Sequence, residues 1–221
     1  LSRRSERSDN KETIVIVLLA VVLLSALMIA AAFAARLNYL RLPELPSSTE
    51  AGLPDHVVII PARDEAGQIS RVGSKFCRSE VVVVDDHSSD ATAEIAASAG
   101  AHVRKAEPLQ PGWKGKPNAC WTGVLYTSSD WILFVDADTW YDSGFLPSLL
   151  AYAEREGLAA LTVFPRQHRI TFFERVLLPY VFGLYFAGVN AARVNDPRNL
   201  DALANGQCLL VKRDAYEFVQ G

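Results

Sequence analysis

Apolar positions along the chain fall into two kinds of pattern, and the first is unbroken. Residues 14–35 form a run of 22 in which Ser25 is the only polar side chain. At about 1.5 Å per helical residue such a run covers a hydrocarbon core of roughly 30 Å, so it predicts one transmembrane helix. It is longer than the apolar core of a cleavable leader, although residues 31–36 weakly resemble a small-residue cleavage site. Residues 42–54, with Pro43, Pro46 and Pro54 around Ser47, Ser48 and Thr49, have linker composition. The expected organisation is a polar tail over 1–13, the helix over 14–35, a linker over 36–54 and a folded domain over 55–221.

Within that domain the second pattern takes over. Short apolar runs at 57–60, 81–84, 131–135 and 161–164 are separated by stretches of helical character such as 91–99 and 118–126. Strands apolar on both faces mark a parallel sheet covered by helices, and their alternation with helices predicts a doubly wound α/β fold. Ser89 or Asp90 can cap the helix that starts at Ala91, and Pro117 suits the first turn of the next. A second apolar stretch at 170–189 contains only Glu174 and Arg175 as charges. Its 14 uncharged residues from 176 onward are too few to span a bilayer, and Pro179 and Gly183 loosen it. It suits an interfacial or re-entrant helix, with a buried core helix as the other reading.

Composition narrows the classes further. The 221 residues include 22 Lys+Arg and 25 Asp+Glu, for a net charge of −3, and the mean hydropathy is +0.12. Slight acidity provides no field for a polyphosphate strand, so no nucleic-acid partner is expected. Cys77, Cys120 and Cys208 have no CxxC spacing and no neighbouring histidine pair, which excludes a disulfide scaffold and a zinc module. Arg3, Arg4, Arg7 and Lys11 precede the long apolar run while only Arg36 and Arg41 closely follow it. Charge count alone therefore places the N-terminus in the cytoplasm and the domain outside.

The chemistry lies where strands end. In a parallel sheet, runs 57–60, 81–84 and 131–135 finish on one edge, the edge at which open α/β sheets bind ligands. They lead into Pro61-Ala62-Arg63-Asp64-Glu65, Asp85-Asp86-His87-Ser88-Ser89-Asp90 and Asp136-Ala137-Asp138. Any one of these acids could be a helix cap. Crowded together they raise one another's pKa and cost stability unless a cation offsets them. In extended chain Asp136 and Asp138 project to the same side and can approach one ion. Carboxylate oxygens suit Mg²⁺ or Mn²⁺, which often link a few protein acids to substrate phosphates. Lys116, in Gly112-Trp113-Lys114-Gly115-Lys116, adds a cation beside glycines that let backbone approach a phosphate.

These elements, with the segment from Gly206-Gln207-Cys208 to Tyr216, together resemble a family 2 glycosyltransferase with a GT-A fold, over about residues 55–221. The Gly-Trp-x-Gly-Lys element and Asn195-Asp196-Pro197 before Ala204-Asn205-Gly206 are similar to the membrane-associated hopanoid and carotenoid glycosyltransferase branch. The resemblance implies that Pro61, Arg63, Asp64 and Glu65 line a nucleotide-sugar pocket together with Asp85, and that Asp86 contacts the nucleoside. Lys116 would lie near the nucleotide, Asp138 with Asp136 would hold Mg²⁺ or Mn²⁺ on the diphosphate, and Gly206 and Gln207 would border the acceptor side. His87 departs from the family, which more often has Gly there; the tight turn demands a backbone conformation that His tolerates less well.

On this resemblance the donor is a nucleotide-diphosphate sugar, UDP-sugar favoured, the acceptor a lipid or lipid-linked hydroxyl, and the reaction inverting. The family's base is an acid beyond the Gly206 segment, so it is expected past Gly221 and the domain is read as incomplete; Asp201, the nearest acid, reads as a surface carboxylate. Nucleotide sugars are cytoplasmic, which against the charge count places the domain on the cytoplasmic face of the inner or plasma membrane. Two other readings stay open: a sugar nucleotidyltransferase, whose G-x-G-T-R loop Pro61-Ala62-Arg63-Asp64-Glu65 does not match, and a membrane-anchored binding remnant without activity.

Overall fold

Valines and isoleucines that face alternate sides of a strand can all be buried only if both faces of the sheet are covered, and this requirement organises the structure. The computed structural model describes residues 2–46, 52–73, 76, 79–109, 111–165, 170–196, 198–199 and 203–221. Cys77, Pro197, Asp201 and linker residues Ser47, Ser48 and Thr49 lie outside them. The chain forms two compact units, Leu1–Glu44 with Gln167–Leu203, and Leu45–Arg166 with Ala204–Gly221.

In the first unit, α1 (Ser2–Leu40) is a single helix that runs through both the expected polar tail and the apolar run. Its segment Thr13–Leu40 is long and apolar enough to cross a membrane, and its side chains are exposed from Ile14 to Ala30. The later apolar stretch forms α6 (Phe172–Gly188), followed by the short α7 (Ala191–Val194). Thr171 and Glu174 close a reciprocal capping box at the start of α6, and Pro179 lies inside the helix.

The second unit holds the sheet. Among the described residues its strands are β1 (His56–Ala62), β2 (Glu80–Asp85), β3 (His102–Lys105), β4 (Trp131–Val135), β5 (Ala160–Thr162) and β6 (Cys208–Lys212), in the order β3-β2-β1-β4-β6-β5. The first four are mutually parallel, with Ile59 opposite both Val82 and Phe134, whereas β6 is antiparallel to β4 and β5. Helices α2 (Ile69–Gly73), α3 (Thr92–Ser98) and α5 (Phe145–Arg155) supply Ile69, Ala96, Leu149 and Leu150 to the core on one face, with Val58, Ile60, Val83 and Leu133. On the other face α4 (Gly115–Leu125) and α8 (Arg213–Phe218) cover Val57, Ile59, Val82, Val84, Ile132 and Phe134 with Ala119, Val124 and Tyr216. This is the mostly parallel, doubly wound α/β arrangement that the pattern predicts.

Three local readings change. The run 161–164 was expected to be buried on both faces; β5 is instead a three-residue edge strand, partly exposed and antiparallel to its neighbour. β3 and β6 were not expected. Asp90 does not cap α3 in the usual position: the cap residue is Ala91, and Asp90, one residue earlier, accepts the Thr92 N–H at 3.0 Å and the Ala66 N–H at 3.2 Å. Pro117 is the third residue of α4, within a first turn whose N–H groups lack helical acceptors in any case.

Gly123 marks the closest approach of α4 to the sheet. A Cβ there would stand 2.5 Å from Ile59 Cγ2, 3.1 Å from Ile59 Cδ1 and 3.2 Å from Val84 Cγ2. Ile59 is fully buried and has no room to give. Overpacking costs about 1–3 kcal/mol, against about 1 kcal/mol gained by replacing a helical glycine with alanine. Gly123→Ala is therefore expected to lower stability by up to about 2 kcal/mol, read as a lower urea midpoint at unchanged slope.

Candidate functional site

The carboxyl ends of β1, β2 and β4 reach one edge because the strands are parallel and in register: Ala62 pairs with Asp85, and Ile59 with Phe134. Two loops leaving that edge are interlocked. The N–H groups of the consecutive residues Asp64, Glu65 and Ala66 donate to Ser88 Oγ at 3.0 Å, Thr92 Oγ1 at 2.8 Å and Asp90 Oδ2 at 3.2 Å. In return the Asp64 carboxylate accepts the backbone N–H of Ser89 at 2.7 Å and its hydroxyl at 3.0 Å. Thr92 also donates a short hydrogen bond to Asp90, which first of all holds the Asp90 carboxyl below its ordinary range. Asp64 and His87 both adopt left-handed conformations, φ 55° and 60°. The turn at His87 thus does require the conformation a glycine would take most readily.

The predicted site residues fall into three groups. Pro61 is a β1 residue paired with Val84. Arg63 stands 3.8 Å from Asp86, and a Cβ on Gly115 would lie 2.6 Å from the same carboxylate, so the absence of a side chain at 115 is what admits Asp86. Asp85, by contrast, is 5 % exposed and accepts the Ser88 N–H at 3.3 Å, which turns it into the loop.

The second group joins α4, β4 and β6. Lys116 forms a short ion pair with Asp136 and donates to the Gly206 carbonyl at 3.2 Å. The Asp136 N–H donates to the Gln207 carbonyl at 3.3 Å, and that carbonyl also accepts the buried Tyr141 hydroxyl at 3.0 Å. Asn205 pins the Gln207 backbone N–H to its own side chain at 3.2 Å. Gly206 and Gln207 are thereby brought to Asp136.

Glu65 forms the third group with Asp138. Burial foremost, then the charges of Asp138, Asp136, Asp90 and Asp64, pushes its carboxyl above the ordinary value. The neighbouring acids thus add to the rise that burial produces at Glu65. Asp136-Ala137-Asp138 was expected to be extended and is not: β4 stops at Val135, and the Thr139 N–H closes a turn onto the Asp136 carbonyl at 3.2 Å. Ala137 is buried while Asp138 is exposed, so the turn presents the second carboxylate to solvent. Among the described residues no three His, Cys, Asp or Glu side chains converge as a metal cage. The donor set fits an ion that takes one or two carboxylates and completes its shell with phosphate and water. Burial pushes the thiols of Cys120 and Cys208 up to about 12, so neither is a thiolate nucleophile at neutral pH.

Tyr141 and the trio Ser88, Ser89 and Thr92 escaped the sequence reading as site residues. Asp90-Ala91-Thr92 has the side-chain-to-backbone turn chemistry that could have flagged the loop. Nothing local announces Tyr141, whose acceptor is 66 residues away.

Residues 57–218 match the family model described as "Glycosyl transferase family 2". The chain is 30 % identical over 173 residues to a 4,4'-diaponeurosporenoate glycosyltransferase of Staphylococcus haemolyticus, covering 74 % of this chain and 46 % of that protein. It is 30 % identical over 167 residues to the protein of the same name from Staphylococcus aureus, covering 72 % and 44 %. It thus spans about half the length of the curated relatives it matches. Among solved structures, glucosyl-3-phosphoglycerate synthase from Mycobacterium tuberculosis in complex with Mn²⁺, UDP and glucosyl-3-phosphoglycerate superposes with a TM-score of 0.52 at 22 % identity, over 78 % of this chain and 64 % of that one. A likeness of that degree shows the fold.

Glu65 supplies a test of the repulsion. Because its folded-state pKa is raised, the folded chain holds the proton more tightly than the unfolded chain does, so ionised Glu65 is destabilising above its ordinary value of 4.5 and neutral well below it. Glu65→Gln is expected to raise the melting temperature at pH 7, with the gain shrinking to nothing as the pH falls below 4.

Proposed function

Because the chain belongs to glycosyltransferase family 2, we propose that it is the nucleotide-sugar-binding part of a membrane-anchored glycosyltransferase that moves a sugar from a nucleotide diphosphate, UDP favoured, to a lipid or lipid-linked hydroxyl with inversion. One observation carries the reading: three parallel strand ends and the returning β6 gather Arg63, Asp86, Lys116, Asp136, Asp138 and Gly206 on a single sheet edge. That edge is where a doubly wound sheet takes its ligand.

Each side chain then has a task. Asp86, held between Arg63 and the bare backbone of Gly115, offers acceptor oxygens to the nucleoside. Pro61, Asp64, Glu65 and Asp85 form the wall of the nucleotide pocket, Asp64 and Asp85 by fixing the loop backbone. Arg63 and Lys116 supply positive charge to the diphosphate, and Lys116 holds Asp136 and the Gly206 carbonyl in a fixed relation. Asp136 and Asp138 would hold Mg²⁺ or Mn²⁺, which when bound supplies neutralisation of the negative charge that builds on the departing diphosphate. The mutual repulsion reported by Glu65 supports a cation at this edge. Gly206 and Gln207 border the side from which an acceptor hydroxyl would approach. The structural neighbour's complexes with Mn²⁺ and UDP agree with this donor and ion. The relatives' named acceptor, the carotenoid 4,4'-diaponeurosporenoate, together with the exposed apolar length of α1, supports a lipid acceptor at a membrane and a domain on its cytoplasmic face, where nucleotide sugars are found.

Calorimetric titration of the detergent-solubilised chain with UDP tests the roles separately. Binding is expected to depend on added Mn²⁺ and to fall at least tenfold, a loss of about 1.4 kcal/mol, on chelation or in Asp138→Ala; full Mn²⁺-dependent binding by Asp138→Ala would remove its role. Gly115→Ala, which displaces the Asp86 carboxylate, is expected to weaken UDP binding both with and without Mn²⁺.

A further inference from the structure

The apolar helix α6 has two faces that differ in what covers them. Its buried residue Phe186 meets α1 within the same unit, the Asn38 side chain donating to the Phe186 carbonyl at 2.8 Å and the Tyr39 and Phe186 rings meeting edge to face at 5.9 Å, and half-buried Phe182 and Tyr185 pack on the Phe186 ring. On α1 the covered positions are Ala31, Ala34, Ala35 and Asn38, one stripe at helical spacing whose small side chains allow close approach. The opposite face of α6, Phe173, Leu177, Tyr180, Val181 and Leu184, is 52–72 % exposed in every case.

We infer that this outer face of α6 lies against lipid acyl chains, in the bilayer leaflet from which the C-terminal end of α1 emerges. The inference rests on the reading of α1 as a membrane span. Three observations support lipid as the occupant. The outer face of α6 belongs to the same unit as the exposed apolar surface of α1, so the one surface continues the other. From residue 176 to the end of α6 there is no charge. The charges of the helix, Glu174 and Arg175, are confined to its first turn, where one oxygen of Glu174 accepts the backbone N–H groups of Ile170 and Thr171, each at 2.8 Å.

Depth follows from where the helices meet. The contact lies at residues 31–38 of α1, the end of its apolar run, not its middle. The 13 uncharged residues from 176 to the end of α6 reach about 20 Å, short of a hydrocarbon core of roughly 30 Å. Helix α6 therefore occupies one leaflet beside the emerging end of α1 without crossing to the other side. Asn38 caps a C-terminal carbonyl that would otherwise lie unpaired at the edge of the hydrocarbon.

The test uses the unaltered full chain, reconstituted in phosphatidylcholine vesicles that contain a phospholipid with a photoactivatable diazirine on its acyl chain. After irradiation, labelled peptides are mapped by mass spectrometry. The expected result is lipid adducts on residues 173–184 as well as on the apolar run of α1. Adducts on α1 with none on α6 would overturn the inference while leaving the anchor intact, and so would protein–protein adducts between copies through α6 in place of lipid ones. Absence of lipid adducts from α1 as well would refute the membrane span and this inference with it.

Discussion

The parallel register of β1 with β2 and β4 is the constraint from which the rest of the second unit follows. Val57, Val58, Ile59 and Ile60 are all inaccessible to solvent, so helices must lie on both faces of β1, and crossover helices keep the strands pointing the same way. Their ends can then only converge. The cost of convergence is a crowd of acids on one edge, and Lys116, reaching from the first turn of α4, is the basic group that meets Asp136 there. Packing thus sets the stage on which charge acts.

Convergence alone would leave the loops slack. Instead three successive N–H groups of the first loop are taken by side chains of the second, and a carboxylate of the first answers with bonds to Ser89. With those amides satisfied, the side chains of Arg63 and Glu65 are not needed to hold the loop. On the other side of the crevice Tyr141 and Asn205 do the same for Gln207 from below. Both arrangements fix loop backbone by side-chain bonds from a second segment, which is how loops acquire the precision of strands.

What could be read from the amino-acid order was whatever is local and apolar. The runs at 57–60, 81–84 and 131–135 declare buried strands by composition alone, and the acids after them declare the edge. β3 was invisible because His102-Val103-Arg104-Lys105 is an exposed edge strand with no apolar alternation to betray it. β6 was missed as a strand although Cys208, Leu210 and Val211 are buried, since its partners β4 and β5 lie far back in the chain. The position of Asp136 and Asp138 was legible but their geometry was not: where β4 ends a turn begins, and the Asp136 N–H is bonded to Gln207, 71 positions later. Tyr141 was hidden for the same reason, its role being defined by a carbonyl that only tertiary structure brings near.

The place of β6 has a consequence in time. The chain leaves the sheet after β5, builds α6 and α7 in the other unit, and only then returns to insert β6 between β4 and β5. During synthesis the first four strands can pair as they emerge, but β5 has no neighbour until residue 212 is made. The pairing that closes the sheet joins residues as far apart in the chain as Trp131 and Lys212, and such contacts form slowly. A nascent chain therefore holds a half-finished sheet, with the β4 edge bare, throughout the synthesis of its second apolar helix.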